Sequence, residues 1–494
     1  MKERIAFYPF VSSNNEYIVI IRNMLRERYE LVDYEDLKNG ILDIKYISAI
    51  YLNWIENVFD TSDKIILEEA KKNNIRIIWV FHNKIPHDST DVEKKEELML
   101  YLMGISDTIL IHSRSSLTYL EKSLPGLETQ KKVFYVPHMN YCGKYYRYGG
   151  NVREKNGIGE EKFVFGFIGA LKAYKNIELL MEAFQEVSIP NSVLFIVGYA
   201  EDALYYKTLE DCAKKYTNVV IKNEYIFNAE MGSYLDAIDV MVLPYVGDSS
   251  LNSGAMMMAF SYQTPVIIPK ISMAQDFPET LFYPYDLERD AKESVKQNLL
   301  AAFSKGKAEN RKLGESLEKL MQSFYSGKNV EKTLLEILEK QVKRPEPNYK
   351  TDEHLIEAYV AAKYKALILD HTLYTACIWL ELGDKNTARF FLDHEIHHVA
   401  VYGYGKLGRR LIKVLQETGI TVDYIVDRNK NVTKNLPVYG IDDCLPATQA
   451  IIVTVGDFEN VKWELTKKSS IDVIDLKEIM EIIQRNRKYE RDRI

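Results

Sequence analysis

The chain has 494 residues, which is too long for one hydrophobic core and long enough for about three domains of roughly 150 residues each. Hydrophobic residues make up 46% of the chain and charged residues 27%, a balance that argues against disorder, collagen or coiled coil as the main architecture. The chain has 64 Lys and Arg residues and 71 Asp and Glu residues, and the resulting net charge of -7 argues against a nucleic-acid partner.

The cysteines and the N-terminus both indicate a cytoplasmic location. Cys142, Cys212, Cys377 and Cys444 are far apart and form no CxxC pair, so we expect buried thiols in a reducing compartment. The opening residues MKERIAFYPF lead into a strand-like segment without an apolar signal core. No apolar run approaches the roughly 18 residues that a membrane span requires.

Residues 1–150 alternate short apolar runs with helical stretches, a pattern typical of βα units on a parallel sheet. The predicted strands are residues 5–8, 47–52 and 75–81, and the predicted helices are residues 16–29 and 65–73. Ligands collect at the carboxyl edge of such sheets, so polar and aromatic residues after each run are candidate site residues. These candidates are Asn15, Trp54, His82, Asn83 and His87. Any one of them alone would more often be a packing residue, but two histidines five positions apart beside Asn and Asp favour a site.

Residues 151–344 carry a phosphate-binding pattern. A predicted strand over 163–169 ends at Gly169 and is followed by Lys172, Lys175 and a predicted helix over 177–187. Glycine lets backbone amides approach a ligand, the helix N-terminus favours anions, and the lysines add positive charge. This arrangement predicts a phosphate site without a Walker lysine signature.

A second anion-binding loop follows the predicted strand over 240–245. Its polar residues precede an apolar helix over 255–262 and offer hydroxyl and N–H donors to a second anionic group. The residues concerned are Ser250, Asn252, Ser253 and Gly254.

Together these stretches resemble the GT-B glycosyltransferases of the "group 1" class. The matching sequences are FGFIGALKAYKNIELLMEAF from Phe165, IDVMVLPYVGDSSLNSGAMMMAF from Ile238, YQTPVI from Tyr262 and HNKIPH from His82. The resemblance covers roughly the first 340 residues and rests on the order and spacing of several moderate motifs. It implies an acceptor-side domain, a nucleotide-sugar donor domain and a sugar held between them.

The resemblance also implies roles for individual residues. Gly169, Lys172 and Lys175 would bind the diphosphate from one side, and Ser250, Asn252, Ser253 and Gly254 would bind the donor from the other. His82 takes the place of the strand-end histidine that such enzymes direct at the transferring sugar. The acceptor would meet Asn15, Trp54, Asn83 and His87.

One departure from the family concerns two glutamates that commonly lie eight positions apart in the second loop. Ser250 and Met258 stand at those positions here, so the ribose contact and the choice of sugar do not follow from the resemblance. No DxD-like cluster lies near the donor loops, so we expect no divalent metal and no cofactor for transfer.

The expected function is therefore metal-independent transfer of a hexose from a nucleotide-diphosphate sugar to a saccharide or lipid-linked saccharide. Such a reaction would serve the synthesis of a surface polysaccharide or glycoconjugate. Contact with the inner face of the membrane and homo-oligomerisation stay open. Two alternatives remain: an inactive nucleotide-binding scaffold or regulatory protein, and a bifunctional enzyme whose last domain alters a sugar nucleotide by redox chemistry.

Residues 345–395 are predicted to be a helical connector, and residues 396–494 a third, small Rossmann-like domain. A predicted strand over 399–402 runs into the GxGxxG sequence of Gly403, Gly405 and Gly408, and Asp427 ends the next predicted strand. Strand, glycine loop, helix, strand and acid form the dinucleotide fingerprint in its proper context. NAD or another nucleotide is the expected ligand, with a fold relic used for oligomerisation as an equal alternative.

The sequence HEIHH from His394 fits the HExxH zinc motif, which requires both histidines on one helical face. His398 falls where the next predicted strand begins, so we do not expect a metal site there. The predicted architecture is thus α/β, with two Rossmann-like domains in a GT-B arrangement (1–150 and 151–344), the connector and the third Rossmann-like domain.

Overall fold

The computed structural model describes residues 2–10, 15–83, 92–123, 132–245, 251–270, 272–286, 290–341, 386–430, 432–433, 435–456 and 458–491. By spatial contacts the chain divides into two compact units. The first unit comprises Met1–Tyr145, Asn151–Ile226 and Gly232–Tyr349, and the second comprises Tyr146–Gly150, Phe227–Met231 and Lys350–Ile494. Among the described residues, no helix has the length and apolar character needed to cross a bilayer.

The first unit begins with a six-stranded sheet whose paired strands are all parallel, in the order β2-β1-β3-β4-β5-β6. Its strands are β1 Arg4–Tyr8, β2 Glu30–Asp33, β3 Ala49–Asn53, β4 Arg76–Phe81, β5 Thr108–Ile111 and β6 Val133–Tyr135. Its helices are Glu16–Arg26, Tyr34–Lys38, Thr61–Lys72, Val92–Ile105 and Ser115–Ser123. The central strands are buried on both faces because helices cover the sheet from both sides, as in other parallel sheets.

A second six-stranded parallel sheet follows in the same unit, in the order β12-β11-β10-β7-β8-β9. Its strands are β7 Phe163–Ile168, β8 Ser192–Gly198, β9 Val219–Asn223, β10 Val240–Val242, β11 Val266–Pro269 and β12 Tyr283–Tyr285. The helices along this part of the chain are Val152–Lys155, Ile177–Val187, Ala203–Ala213, Asn228–Asp236, Gly254–Ser261, Ala291–Ser323 and Gly327–Gln341. The last of them packs against the helix Glu16–Arg26 of the first sheet. The helix Ala291–Ser323 is kinked at Gly306, where φ is 72°.

The second unit contains a five-stranded parallel sheet in the order β15-β14-β13-β16-β17. Its strands are β13 His398–Tyr402, β14 Thr421–Val426, β15 Val438–Tyr439, β16 Ala450–Val453 and β17 Asp472–Asp475. Its helices are Asn386–Asp393, Lys406–Glu417, Phe458–Thr466 and Leu476–Arg491. Alternate residues of β13 belong to two separate apolar clusters, so both faces of this sheet are buried.

Two short segments from the middle of the chain fold with this last sheet. The Tyr148 hydroxyl donates to Asp472 Oδ2 at 2.6 Å, and the Tyr146 hydroxyl donates to the Val473 carbonyl at 3.1 Å. The Ala229 N–H donates to Glu478 Oε1 at 2.9 Å. The second unit is therefore completed by residues 146–150 and 227–231, a feature that the sequence pattern does not indicate.

Three parallel sheets flanked by helices confirm the predicted α/β class and its Rossmann-like character. The predicted runs over 5–8, 75–81 and 163–169 correspond to β1, β4 and β7 within one residue at each end. The sequence reasoning missed β2, β5, β6, β12 and β17, which have only three or four residues each. Such short runs give little periodicity to detect.

Two smaller expectations are also resolved. The helix Asn386–Asp393 ends before His394, and His398 opens β13, so the HExxH residues do not share a helical face. The expectation of buried thiols was wrong for Cys444, which is exposed, and Cys142 and Cys212 are only half-buried. Cys377 lies outside the described residues.

Candidate active site

His82 lies directly after β4, at the carboxyl edge of the first sheet, and is only 3% exposed. Its ring stacks on Trp54, with centroids 4.0 Å apart and an angle of 16° between the planes. Trp54 follows β3 and takes a left-handed backbone conformation with φ of 49°, which is unusual for a bulky residue. The structure therefore brings together the two aromatic residues that were predicted at separate strand ends.

A hydrogen-bonded group of three residues lies beside His82. The Tyr17 hydroxyl is 2.7 Å from His112 Nε2, and His112 Nδ1 is 2.7 Å from the Val136 carbonyl. Because a carbonyl only accepts, His112 carries its proton on Nδ1 and Nε2 accepts from the tyrosine. The edge of the Tyr17 ring also meets His82, with centroids 5.1 Å apart.

His138 completes this buried cluster and donates from Nδ1 to the Met139 carbonyl at 2.9 Å. Its ring centroid is 5.4 Å from that of His112 and 5.2 Å from that of Tyr17. The sequence reasoning missed His112 and His138, although His112 follows β5 and His138 comes soon after β6. Extending the strand-end criterion to all strands of the sheet would have found both.

Burial keeps this histidine cluster uncharged. Desolvation lowers the pKa of His112 to about 3 and that of His138 to about 4. Desolvation, with the neighbouring His112 and His138, also holds the pKa of His82 well below its usual value. All three rings are therefore neutral near pH 7, available for hydrogen bonding and aromatic packing rather than for holding positive charge.

The first predicted donor loop is shaped by two glycines. Gly169 has φ of +151°, a conformation that favours glycine. A Cβ at Gly198 would lie 1.7 Å from the Gly169 carbonyl oxygen, so only glycine lets these two strand ends approach so closely. The loop then passes Lys172, which is half-buried, and turns through Asn176 into the helix Ile177–Val187.

Lys175 lies between two tyrosines. Its Nζ is 4.8 Å from the ring centroid of Tyr174 and 4.1 Å from that of Tyr245. Burial lowers the pKa of Lys175, but the Tyr245 and Tyr174 hydroxyls raise it by more, so the net pKa lies above the usual value. Among the described residues no carboxylate forms an ion pair with this ammonium group, and the two tyrosines are its only charge-related neighbours.

The second predicted donor loop ends at the N-terminus of the helix Gly254–Ser261. Ser253 caps this helix by accepting from the Met256 N–H at 3.2 Å. Its hydroxyl also lies 3.5 Å from the Tyr245 hydroxyl. Because Tyr245 contacts both Lys175 and Ser253, the two predicted phosphate-binding elements meet at one tyrosine side chain.

Asn252 connects this loop to the first sheet. Its Nδ2 donates to the His82 carbonyl at 3.1 Å, and its Oδ1 is buried without a hydrogen-bond partner in the described structure. A second bridge comes from Tyr141, whose hydroxyl lies 3.7 Å from the position that a Cβ at Gly254 would occupy. A continuous series of contacts therefore runs from His82 through Asn252 and Ser253 to Tyr245 and Lys175.

The remaining predicted residues have varied surroundings. Asn15 caps the helix that carries Tyr17, accepting from the Tyr17 N–H at 3.1 Å, and Asn83 is half-buried next to His82. His87 and Ser250 lie outside the described residues. Met258, at the position of the family's second glutamate, is buried in the helix Gly254–Ser261. The acceptor-binding assignments stay predictions.

The glycine loop of the second unit has the close packing of a dinucleotide fingerprint. Gly403 has φ of +93°, and a Cβ at Gly408 would lie 1.9 Å from the Gly403 carbonyl oxygen. A Cβ at Gly405, the N-cap of the helix Lys406–Glu417, would meet nothing within 4 Å. Asp427 Oδ2 accepts from the Tyr404 N–H at 2.7 Å, which ties the end of β14 to the loop.

Comparison with known proteins supports this description of the first unit. Residues 162–293 match the family model described as Glycosyl transferases group 1. The chain has no match among the curated proteins. The predicted resemblance to this class is thus confirmed over the part of the chain that holds Gly169, Lys175 and Gly254.

Solved structures show the fold. Anabaena HepE in complex with UDP and glucose matches with a TM-score of 0.55 and 11% identity, over 69% of this chain and 100% of HepE. A sucrose-phosphate synthase from Thermosynechococcus elongatus matches with a TM-score of 0.55 and 14% identity, over 69% of this chain and 99% of its own. A glycosyltransferase from Rickettsia africae matches with a TM-score of 0.52 and 11% identity, over 69% of this chain and 98% of its own. The chain thus has the GT-B fold of glycosyltransferases.

Proposed function

We propose that this protein transfers a hexose from a nucleotide-diphosphate sugar to a saccharide or lipid-linked saccharide. The observation that carries the proposal is the set of contacts joining His82, Asn252, Ser253, Tyr245 and Lys175. At one end of this set is a neutral histidine, and at the other is a lysine ammonium group that forms no ion pair with a carboxylate among the described residues. A sugar diphosphate has the matching polarity, with a neutral ring at one end and two charged phosphates at the other.

The reaction makes two electrostatic demands on the site. Breaking the bond between the anomeric carbon and the diphosphate oxygen builds negative charge on the leaving phosphate and positive character on the sugar. Lys175 and the N-terminal amides of the helix Gly254–Ser261 would stabilise the first. His82 and Trp54 would border the sugar. We therefore propose that no divalent metal is needed.

The test measures donor binding and turnover by the purified protein. We expect UDP or another nucleoside diphosphate to raise the melting temperature, since a ligand that binds only the folded state stabilises it. UDP is the first probe because HepE is described in complex with UDP and with UDP-glucose. We expect donor turnover to be unchanged by EDTA. Binding without hydrolysis or transfer would instead support the inactive scaffold.

We place the reaction in the cytoplasm, at the inner face of the membrane if the acceptor is a lipid-linked saccharide. Supplying short saccharides and their lipid-linked forms to the same assay would separate the two acceptor classes.

For the second unit we propose nucleotide binding at the glycine loop, with NAD as the first candidate. The support is the open space at Gly405 beside the close contact between Gly408 and Gly403. Backbone amides at the start of the helix Lys406–Glu417 would approach a pyrophosphate there, and Asp427 would lie beside the ribose.

A pair of glycine variants tests this site. Gly405→Val fills open space at an allowed φ of −69°, so we expect an unchanged melting temperature and at least about 10-fold weaker NAD binding by calorimetry. Gly408→Val would drive its side chain into the Gly403 carbonyl and should lower the melting temperature. If the wild-type protein binds none of NAD, NADP or nucleoside diphosphates in this unit, the oligomerisation alternative gains support.

A further inference from the structure

The hydrogen bonds around Asn53 determine how its side-chain amide points. Asn53 is the last residue of β3 and is fully buried. Its Nδ2 donates to the Tyr8 carbonyl at 3.0 Å, so the amide oxygen must point the other way. On that side His82 Nε2 lies 3.3 Å from Asn53 Oδ1.

This amide orientation selects one form of the His82 ring. An amide oxygen can only accept a hydrogen bond, so His82 Nε2 must carry the proton that it donates. Since the buried ring is neutral, Nδ1 then has no proton and a free lone pair. Among the described residues Nδ1 has no hydrogen-bond partner, although His82 is almost completely buried. The lone pair on Nδ1 is therefore available to accept a hydrogen bond from a ligand at the carboxyl edge of the sheet.

We propose that Asn53 is a positioning residue that fixes His82 in the Nε2–H form, so that Nδ1 accepts a hydrogen bond from a sugar hydroxyl. This inference rests on the proposed function and names the substrate group that meets the ring. Trp54 holds the ring plane by stacking, and Tyr17 meets it edge-on. Rotation of His82 to present Nε2 instead would lose the bond to Asn53.

The low basicity of the ring argues for binding rather than for proton removal. Because desolvation holds the pKa of His82 well below its usual value, Nδ1 is a weak base. Hydrogen-bond acceptance needs no proton transfer. His82 therefore orients a hydroxyl of the sugar while the charge of the leaving group is stabilised elsewhere.

The first test determines which ring nitrogen of His82 carries the proton, by nuclear magnetic resonance of protein with ¹⁵N-labelled histidine. The signal is assigned by its loss in His82→Gln. We expect wild-type protein to show a protonated Nε2 and an unprotonated Nδ1 at pH 7. A proton on Nδ1 would overturn the inference, and this measurement does not depend on turnover.

The second test is kinetic and uses variants at both positions. Asn53→Asp places a carboxylate beside Nε2, which favours the imidazolium, so the acid limb of the pH–rate profile should move to higher pH. His82→Asn keeps an amide oxygen near the position of Nδ1, whereas His82→Gln places its amide near Nε2. We expect His82→Gln to lose about 10-fold more kcat/KM than His82→Asn. Equal loss in both, with an unmoved acid limb in Asn53→Asp, would contradict the assignment.

The two proposals fail in different ways. If no donor is turned over by wild-type protein, the transferase proposal fails whichever nitrogen of His82 carries the proton. If transfer is observed but Nδ1 is protonated, the role of Asn53 fails and the transferase proposal stands.

Discussion

Replacing Lys175 with methionine is expected to lower kcat/KM for the nucleotide-sugar donor by about 10²- to 10³-fold, the usual cost of removing one preorganised group that stabilises developing charge. Methionine keeps an unbranched apolar chain between Tyr174 and Tyr245, so the packing should survive. Initial rates with varied donor, together with calorimetric binding of the nucleoside diphosphate, measure the effect.

The loss should appear more strongly in kcat than in donor affinity. The diphosphate already carries charge in the bound donor, but that charge grows as the glycosidic bond breaks, so Lys175 interacts most strongly with the transition state. A variant that only raised KM would indicate uniform binding of donor and transition state. Turnover unchanged within twofold would contradict the phosphate assignment.

A matched control is available in the same part of the chain. Lys305 also places its ammonium group over a tyrosine ring, with Nζ 5.1 Å from the Tyr283 centroid, but it is an exposed residue of the helix Ala291–Ser323. Lys305→Met should leave kcat/KM unchanged. Equal losses in the two variants would mean that the effect of Lys175→Met comes from general electrostatics or stability.

The alternating pattern predicted the sheets well because buried parallel strands form continuous apolar runs. The segment RIIWVF of β4 and the segment FVFGFI of β7 are buried almost throughout, and both were predicted within one residue. The same reasoning predicted that His82 and Trp54 would lie on one edge, since parallel strands end on the same side of a sheet.

The contacts between the loops could not be predicted in this way. That Asn252 would donate to the carbonyl of His82 depends on the packing of residues 170 positions apart in sequence. The direction of the Asn53 amide likewise depends on the Tyr8 carbonyl across a strand pair. Periodicity determines which face a residue occupies, but it carries no information on hydrogen-bond partners from distant segments.

The packing of residues 146–150 and 227–231 against the third sheet was not predicted from the sequence either. Tyr148 and Asp472, which share a hydrogen bond of 2.6 Å, are separated by 324 residues. Neither segment has the length or pattern of a regular element of that sheet. Sequence reasoning therefore predicted the order of the elements but not which residues complete the second unit.

Lowering the pH from 7.5 to 5 is expected to destabilise the first unit. His112 and His138 have folded-state pKa values of about 3 and about 4, below the ordinary 6.5 that applies to the unfolded chain. Below pH 6.5 the unfolded state therefore binds more protons than the folded state. The free energy of unfolding of this unit decreases as the pH is lowered. Each histidine contributes a loss of about 2 kcal/mol by pH 5.

The second unit should respond in the opposite direction. Burial raises the pKa of Asp475 to about 6 and that of Glu478 to about 7, above the ordinary values of 3.8 and 4.5. Three groups oppose this rise in pKa: the Lys477 N–H at Asp475, the Ala229 N–H at Glu478, and Lys462 at both carboxylates. At Glu478 the charge of Glu230 raises the pKa further. Here the folded state binds more protons, so stability falls as pH rises through the folded pKa and is regained on acidification. Between pH 7.5 and 5 each group contributes a gain of roughly 1–3 kcal/mol.

Calorimetry at pH 7.5, 6.5 and 5.5 should therefore resolve two melting transitions, the first from the first unit and the second from the second unit. On acidification we expect the melting temperature of the first transition to decrease and that of the second to increase. Glu478→Gln keeps an acceptor for the Ala229 N–H but cannot ionise, so it should stabilise the second transition at pH 7.5 and flatten its pH dependence. Glu417→Gln, at an exposed position of the same unit, is the control and should change neither. His138→Asn keeps a donor near the Met139 carbonyl and should reduce the acid sensitivity of the first transition. If the melting temperatures of both transitions decreased on acidification, the result would contradict the burial of these ionisable groups, because both expected directions depend on that burial.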